Sequence, residues 1–236
     1  ECLVGSEMCI RDRRYYAMSK IRTLEGFQDY VDTEMAWRIK EIAHLTASID
    51  RSLSLAQRTI IRASIPLLYA HWEGFVKNTA SKYIEYISNL RLNYSELEEC
   101  LIVLGMRKKL FEIASTNKHD IISESLKFIL SGQKERAILN FESAIQTESN
   151  LKSHVFDNIA KSIGVSVHHF NTKYNFIDES LLKRRNCIAH GEYLDIDANE
   201  WRNLSQETLT LMRTFKNEVL NNASTKKYLK PVQLNQ

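Results

Sequence analysis

Seven glycines and two prolines are spread over 236 residues, against average usage of roughly 7% and 5%, and this scarcity restricts the fold before any motif is read. Left-handed backbone draws mainly on glycine and tight reversals on glycine and proline, so a chain with few of either makes few turns. The apolar pattern then selects helices over strands. From Leu24 to Ile49 the residues Phe27, Tyr30, Val31, Met35, Ile39, Ile42, Leu45 and Ile49 recur at three- and four-residue spacing, which is the repeat of a single buried helix face.

The same reading continues along the chain. Ser52 to Leu90 is as long as two ordinary helices and contains Pro66; proline removes a backbone donor and clashes with the preceding turn, so a kink or break is expected near Ala63 to Pro66. Ser95 with Glu98 has the form of a capping box opening a helix that runs to about Ala114. Asp120 to Leu130, Asn150 to Ile163 and Ile177 to His190 are expected to stop at Gly132, Gly164 and Gly191, glycines in the position after a helix end where a left-handed residue is needed. Asp197 and Glu200 begin a last helix carrying Trp201, Leu204, Leu209, Leu211, Phe215 and Leu220. Only Ala137 to Phe141 is ambiguous between helix and strand. The expected fold class is all-α, a bundle of about seven helices, with a tail from Ser224 that is polar and frayed, residues 228–236 in particular.

Charge and cysteine content narrow the function classes. A formal net charge of +3 is well short of the field of a protein that coats nucleic acid nonspecifically, though a local basic site fits it. Residues 1–17, ending before Met18, have neither a signal peptide's apolar run nor an amphipathic period, and they resemble translated sequencing-adapter sequence. The natural chain is therefore expected to begin at Met18 and to form one domain over 18–227. Without the extension, Cys100 and Cys187 remain, two separated thiols that suit a reducing cytoplasm. No apolar run approaches the roughly 20 residues needed to span a bilayer. Phosphate-cradling glycine loops, H-E-x-x-H and paired C-x-x-C are all missing from the sequence, so no cofactor or metal is expected. His154, His168 and His169 make a poor metal site, the last two being adjacent and pointing to different sides.

One stretch does not fit a plain helical protein. LKRRNCIAHGEY, Leu182 to Tyr193, sets Lys183, Arg184, Arg185, Asn186 and His190 just before the last helix. Arginine offers a fork that grips phosphate at two points, and histidine titrates nearest working pH. Together they are the residue types that bind an anion and move protons at a site. The spacing is awkward, because five residues on an ideal helix lie about 140° apart around the axis and about 7.5 Å along it. Convergence requires the helix to unwind near Gly191, or a two-fold dimer that brings one Arg185 and one His190 from each chain to a shared groove. The shared site is the preferred expectation, since two histidines separate the acid and base roles.

With Asn186 after the arginine, the run R-N-C-I-A-H resembles the R-x4-6-H motif of the HEPN superfamily. The flank IAHG and the segment YAHWEGFVK, Tyr69 to Lys77, are similar to a RiboL-PSP-HEPN-like branch known from toxin and phage-defence loci. The likeness spans about Met18 to Lys227 and implies a HEPN-type helical core with a helical insertion at 95–150. It also implies RNA as partner, a homodimer, and an antitoxin or defence-system protein as a further partner. The activity implied is metal-independent endoribonuclease cleavage with Arg185 and His190 as catalytic residues: that reaction needs one group to take the 2′-hydroxyl proton, one to protonate the leaving oxygen and a cation to stabilise the crowded phosphorane. Asn186, Glu73 and Lys77 would support them, and Lys183 and Arg184 would attract the RNA backbone.

Each of these residues has a plainer reading. His190 at a helix end is also a cap favoured by the helix dipole, Glu73 and Lys77 an exposed pair at i,i+4, and Lys183 with Arg184 a solvated face. Trp72 and Trp201 are expected in the core, and Tyr193 is free to stack a base. Two alternatives to catalysis stand beside it: a noncatalytic module whose groove binds a nucleotide, RNA or a partner, and a structural helical protein whose RRN-IAH segment is a dimer contact.

Overall fold

The central element of the structure, a computed structural model that describes residues 20–140, 145 and 150–231, is one long helix. Helix α1 spans Leu24–Arg51 and α2 spans Ser54–Asn89, and both pack against the last helix, α7, at Ala198–Ser224. Between them come α3, Glu99–Ser115, and α4, His119–Ser131, which form a hairpin of their own. Then follow α5, Ser153–Ser162, a 3₁₀ turn at His168–Lys173, a π-helical turn at Phe176–Leu182 and the short α6, Lys183–Ala189. The described residues hold no strand, only isolated bridges Asn93 to Arg136 and Leu97 to Leu229. The fold is all-α, as the periodicity requires. The expected N-terminal extension, residues 141–144 and 146–149 of the expected insertion, and 232–236 lie outside the described part.

Of the kink or break expected at Pro66, the break does not occur; the helix is continuous from Ser54 to Asn89. A proline inside a helix costs about 3 kcal/mol. Its neighbours Ile61, Ile65, Leu68 and Tyr69 are each almost wholly buried, and large apolar side chains contribute about 1.5–3 kcal/mol apiece on burial. Packing on both sides of the proline therefore outweighs its local cost. Trp72 and Trp201 are both fully buried, and the Trp201 indole donates to Thr46 Oγ1 at 3.0 Å.

The helix ends follow the glycines at two of three positions. Gly164 and Gly191 have φ of +72° and +77°. At each, the glycine N–H and the next N–H turn back onto the carbonyls of the last helical turn, as in a Schellman end. Gly132 differs: its φ is −76°, and α4 runs into a 3₁₀ turn at Gly132–Lys134. The expected capping box at Ser95 and Glu98 is displaced. Glu96 accepts from the Asn93 N–H at 2.8 Å across a 3₁₀ turn, while Glu98 caps α3 through the Glu99 N–H.

The tail is ordered further than its composition suggests. Lys226 takes a left-handed φ of 55°, the chain doubles back, and Tyr228 is buried against Tyr86. Its carbonyl accepts from the Glu98 N–H at 2.9 Å, and the Lys230 N–H donates to Glu96. No glycine marks this turn, so polarity alone read the segment as frayed. The α3–α4 hairpin is held at its base by Tyr94, whose buried ring meets Phe128 edge-on at 6.0 Å.

A Cβ at Gly105 would lie 2.6 Å from Tyr94 Cε1, too close for either to stay in place. Gly105→Ala should therefore destabilise the chain by about 1–3 kcal/mol even though alanine favours helix by about 1 kcal/mol. Urea denaturation followed by circular dichroism checks this; a stabilised variant would show that Tyr94 is not a fixed key.

Candidate functional site

The segment Leu182 to Tyr193 reaches its position through the π-helical turn. In the wide turn the Lys183 N–H donates to Asp178 O, so one residue more than usual is spent per turn. Relative to a regular helix this rotates all that follows by about 100°. Ile177, Leu181 and Leu182 anchor the turn in the core, and α6 then lies beside α2.

Arg185 points at α2. Its guanidinium carbon sits 4.9 Å from the Tyr69 ring centroid, within range of a cation–π contact. Nη1 donates at 2.8 Å to both Asn150 Oδ1 and Asn186 Oδ1. Among the described residues no carboxylate lies within 4.0 Å of it, whereas Lys183 pairs with Glu179 at 2.7 Å and Arg184 with Glu200 at 3.2 Å. Arg185 is thus a half-buried cation held by two neutral amides and an aromatic face. Its Nε and Nη2 donors have no protein partner among the described residues. Such a group retains its full attraction for an anion.

His190 stands at the opposite end of α6. It is the residue that closes the helix before left-handed Gly191, its N–H donating to Asn186 O at 2.9 Å. Its exposed imidazole opens onto a surface pocket of about 410 Å³ shared with Asn186, Cys187, Glu192, Lys152 and Asp178. The loop beyond it is pinned by Arg62, whose Nη1 donates to Glu192 O at 3.1 Å and Leu194 O at 3.5 Å. Tyr193 projects from this loop, 78% exposed. A hydrogen bond to Glu192 pushes the Cys187 thiol above its ordinary value, so this cysteine is a protonated thiol and a poor nucleophile near neutrality.

Asn186 is the link between the two ends: its side chain faces Arg185 and its carbonyl carries the His190 turn. It orients the arginine, not the histidine ring. Within one chain, Arg185 is absent from the lining of the pocket that His190 opens onto.

Tyr69, Asn150 and Asp178 gave no signal in the sequence. Tyr69 belongs to YAHWEGFVK but reads there as a core aromatic, and its role depends on a long-range contact. Its hydroxyl accepts from the Leu151 N–H at 2.6 Å, fixing the chain beside Asn150. Burial, with the Glu73 carboxylate adding to it, pushes its pKa up to about 12. Glu73 therefore serves Tyr69 instead of pairing with Lys77, which is exposed and without an ion pair among the described residues. Asp178 receives the backbone N–H and the hydroxyl of Ser153, satisfying an N–H in the first turn of α5.

The other side of YAHWEGFVK meets α1. Arg38 is 3% exposed; it donates to His71 O at 3.2 Å and to the Glu34 carboxylate and carbonyl at 2.7 Å, and lies over Trp37 at 4.3 Å. Asn78 completes the carboxylate at 2.9 Å. Gly74 leaves room here, since a Cβ would come within 3.3 Å of Arg38 Nη2. The chemistry-bearing part of the motif is thus split between a buried structural cluster at His71 and an arginine support at Tyr69 and Glu73.

A helical bundle that presents an arginine and, five residues on, a histidine at the end of a short helix before its last long helix defines a HEPN-type domain. The model of the RiboL-PSP-HEPN family matches residues 33–221, and the chain belongs to that family. No curated protein and no solved structure matches it. Among the described residues no helix is long and apolar enough to cross a membrane, and no group of three or more histidine, cysteine or acidic side chains is placed to hold a metal ion.

Two outcomes follow from these contacts. Tyr69→Phe keeps the ring under Arg185 but leaves the Leu151 N–H and Glu73 without the hydroxyl, and should cost about 1–3 kcal/mol in urea denaturation; an unchanged midpoint would mean the hydroxyl is idle. Burial pushes His71 below the ordinary histidine value, against the opposing pull of Glu41 at 2.9 Å. The unfolded chain then binds the extra proton first, so His71 contributes stability that is present above about pH 6.5 and lost as pH falls through the folded value. His71→Gln should flatten the acid side of a melting-temperature profile, and an unaltered slope would remove His71 from the acid transition.

Proposed function

We propose that this protein is a metal-independent endoribonuclease of a toxin–antitoxin or phage-defence system, working through Arg185 and His190 at a groove between two copies of the chain. The observation that carries the reading is the state of Arg185: a half-buried guanidinium held by Asn150, Asn186 and Tyr69, with no carboxylate within 4.0 Å among the described residues. A cation positioned at the expense of neutral groups alone, with donors left over, fits a phosphate and the extra charge of its phosphorane.

In this reading Arg185 grips the scissile phosphate. His190 of one copy takes the proton from the 2′-hydroxyl, which attacks phosphorus; His190 of the other copy protonates the departing 5′-oxygen. The products are a 2′,3′-cyclic phosphate and a free 5′-hydroxyl. Two copies supply both proton-transfer roles because a two-fold contact repeats each residue, and the exposure of His190 and Tyr193 leaves that edge open for it. Asn186 holds the arginine, Tyr69 with Glu73 supports it from below, and Tyr193 is placed to stack a base. Lys183 and Arg184 are already paired with Glu179 and Glu200. Their share of RNA attraction is accordingly small, and Lys77 and Lys152 are the freer cations.

A second reading rests on the separation of Arg185 from the pocket beside His190 within one chain. The arginine then binds an RNA phosphate or a partner's carboxylate without turnover, as a noncatalytic module.

The test is a gel assay of RNA incubated with the purified chain in EDTA, beside His190→Ala and Arg185→Ala variants matched by circular dichroism. Cleavage leaving cyclic-phosphate ends is expected from the parent, with His190→Ala slower by about 10²–10⁴-fold. Equal cleavage by His190→Ala would end the catalytic assignment. Binding without cleavage, lost in Arg185→Ala alone, would establish the second reading.

A further inference from the structure

The hairpin of α3 and α4 stands apart from the ribonuclease site and carries a surface that the bundle does not use. Seven of the eleven large hydrophobic side chains left exposed among the described residues fall between Val103 and Ile138. Two of them, Phe111 and Ile138, line one groove. On α3, Leu104, Arg107, Lys108 and Phe111 share one face by their three- and four-residue spacing, and that face forms one wall of a groove of about 580 Å³ whose other side is Phe128 of α4 and Ile138. Phe111 is 70% exposed and Ile138 74%, although both belong to residue types that folding normally covers. An apolar groove of this kind, edged by polar groups, marks an interaction site.

The edge has a sign. Arg107, Lys108 and Lys109 line the groove, and among the described residues Glu112 is the one carboxylate that pairs with them. It lies 3.3 Å from Lys109 and 4.0 Å from Lys108, and it also accepts from Ser125 on α4 at 3.2 Å. Arg107 has no ion pair among the described residues. Among the described residues, three cations against one committed carboxylate leave the rim positive, directly beside an aliphatic and aromatic floor.

We propose that this groove docks an acidic amphipathic helix of another protein, its apolar face on Leu104, Phe111, Phe128 and Ile138 and its carboxylates on Arg107 and Lys108. Helices seated in grooves use apolar anchors at i, i+3 or i+4 and i+7, which an open apolar groove with a cationic rim accepts. Charge complementarity then selects the partner and speeds the encounter. A second copy of this chain fits less well, because a two-fold contact would bring the two sets of cations together. RNA fits less well because single strands bind along successive aromatic faces, and among the described residues of the groove only Phe111 presents an open one.

The experiment is a selection of displayed helical peptides on the full chain, counter-selected on Phe111→Asp, an exposed substitution checked by circular dichroism. Enriched peptides should carry the apolar i, i+3, i+4, i+7 pattern flanked by aspartate and glutamate. The strongest of them, made synthetically and labelled, should lose at least tenfold in affinity to Arg107→Glu/Lys108→Glu and weaken with salt. It should bind His190→Ala as it binds the parent, whatever the outcome of the RNA assay. No enrichment over the counter-selected variant, or enrichment of basic or uncharged peptides, overturns the proposal. So does displacement of the peptide by an oligouridine of similar affinity, or a parent dimer in sedimentation that Phe111→Asp dissolves.

Discussion

Helix α2 is buried over most of its circumference between Ile61 and Ile87, and the geometry of the site depends on that constraint. Ile65, Leu68, Tyr69, Trp72, Phe75, Val76, Ala80, Tyr83 and Ile84 are each at or below 1% exposure. They face α1 and α7 on one side and the shorter elements on the other. A helix packed from several directions cannot rotate or slide without opening cavities, and each buried large-to-small loss in such a core costs several kcal/mol. Tyr69 is therefore a fixed platform. Whatever rests on it inherits its rigidity.

Arg185 rests on it. Setting a guanidinium into a half-buried position removes water that would otherwise solvate it, and a protein usually offsets that loss with a carboxylate. Here the compensation comes from two amide oxygens and a ring face. The contrast with Arg38 is instructive, because Arg38 is more deeply buried and does have its carboxylate, Glu34 at 2.7 Å. The same chain thus holds one arginine whose charge is used up in tying α1 to α2 and one whose charge is left available. Burial alone would not separate the two roles; the identity of the partners does.

The sequence made the helices legible because their signals are local. Apolar spacing located α1 and α7, and Asp197 with Glu200 marks the start of α7 as a capping box that the structure contains. Gly164 and Gly191 mark helix ends because only a left-handed residue closes them that way. What failed was every case where a distant contact overrode a local preference. Pro66 stays inside α2 because its neighbours are buried, Gly132 keeps a negative φ because α4 runs on into a 3₁₀ turn, and Tyr228 turns inward on a left-handed lysine. Arg185 and His190 could be picked out by residue type and motif. Tyr69, Asn150 and the π-helical turn that aims Arg185 could not, since each acquires its meaning from a partner 35 or more residues away or from an extra residue in a turn.

The awkward five-residue spacing acquires a different sense once the turn is considered. A regular helix would leave Arg185 and His190 about 140° apart, and the closing turn at Gly191 removes His190 from the regular path without folding it back over the arginine. The arginine consequently looks inward to α2 and the histidine outward to solvent. Under the proposed function, a single chain arranged this way would hold a phosphate but not place two proton-transfer groups around it. Under the proposed reading the second copy resolves the mismatch. Each chain contributes an anchored cation and a free imidazole, and the inward and outward orientations, unproductive within one chain, become complementary across a two-fold axis.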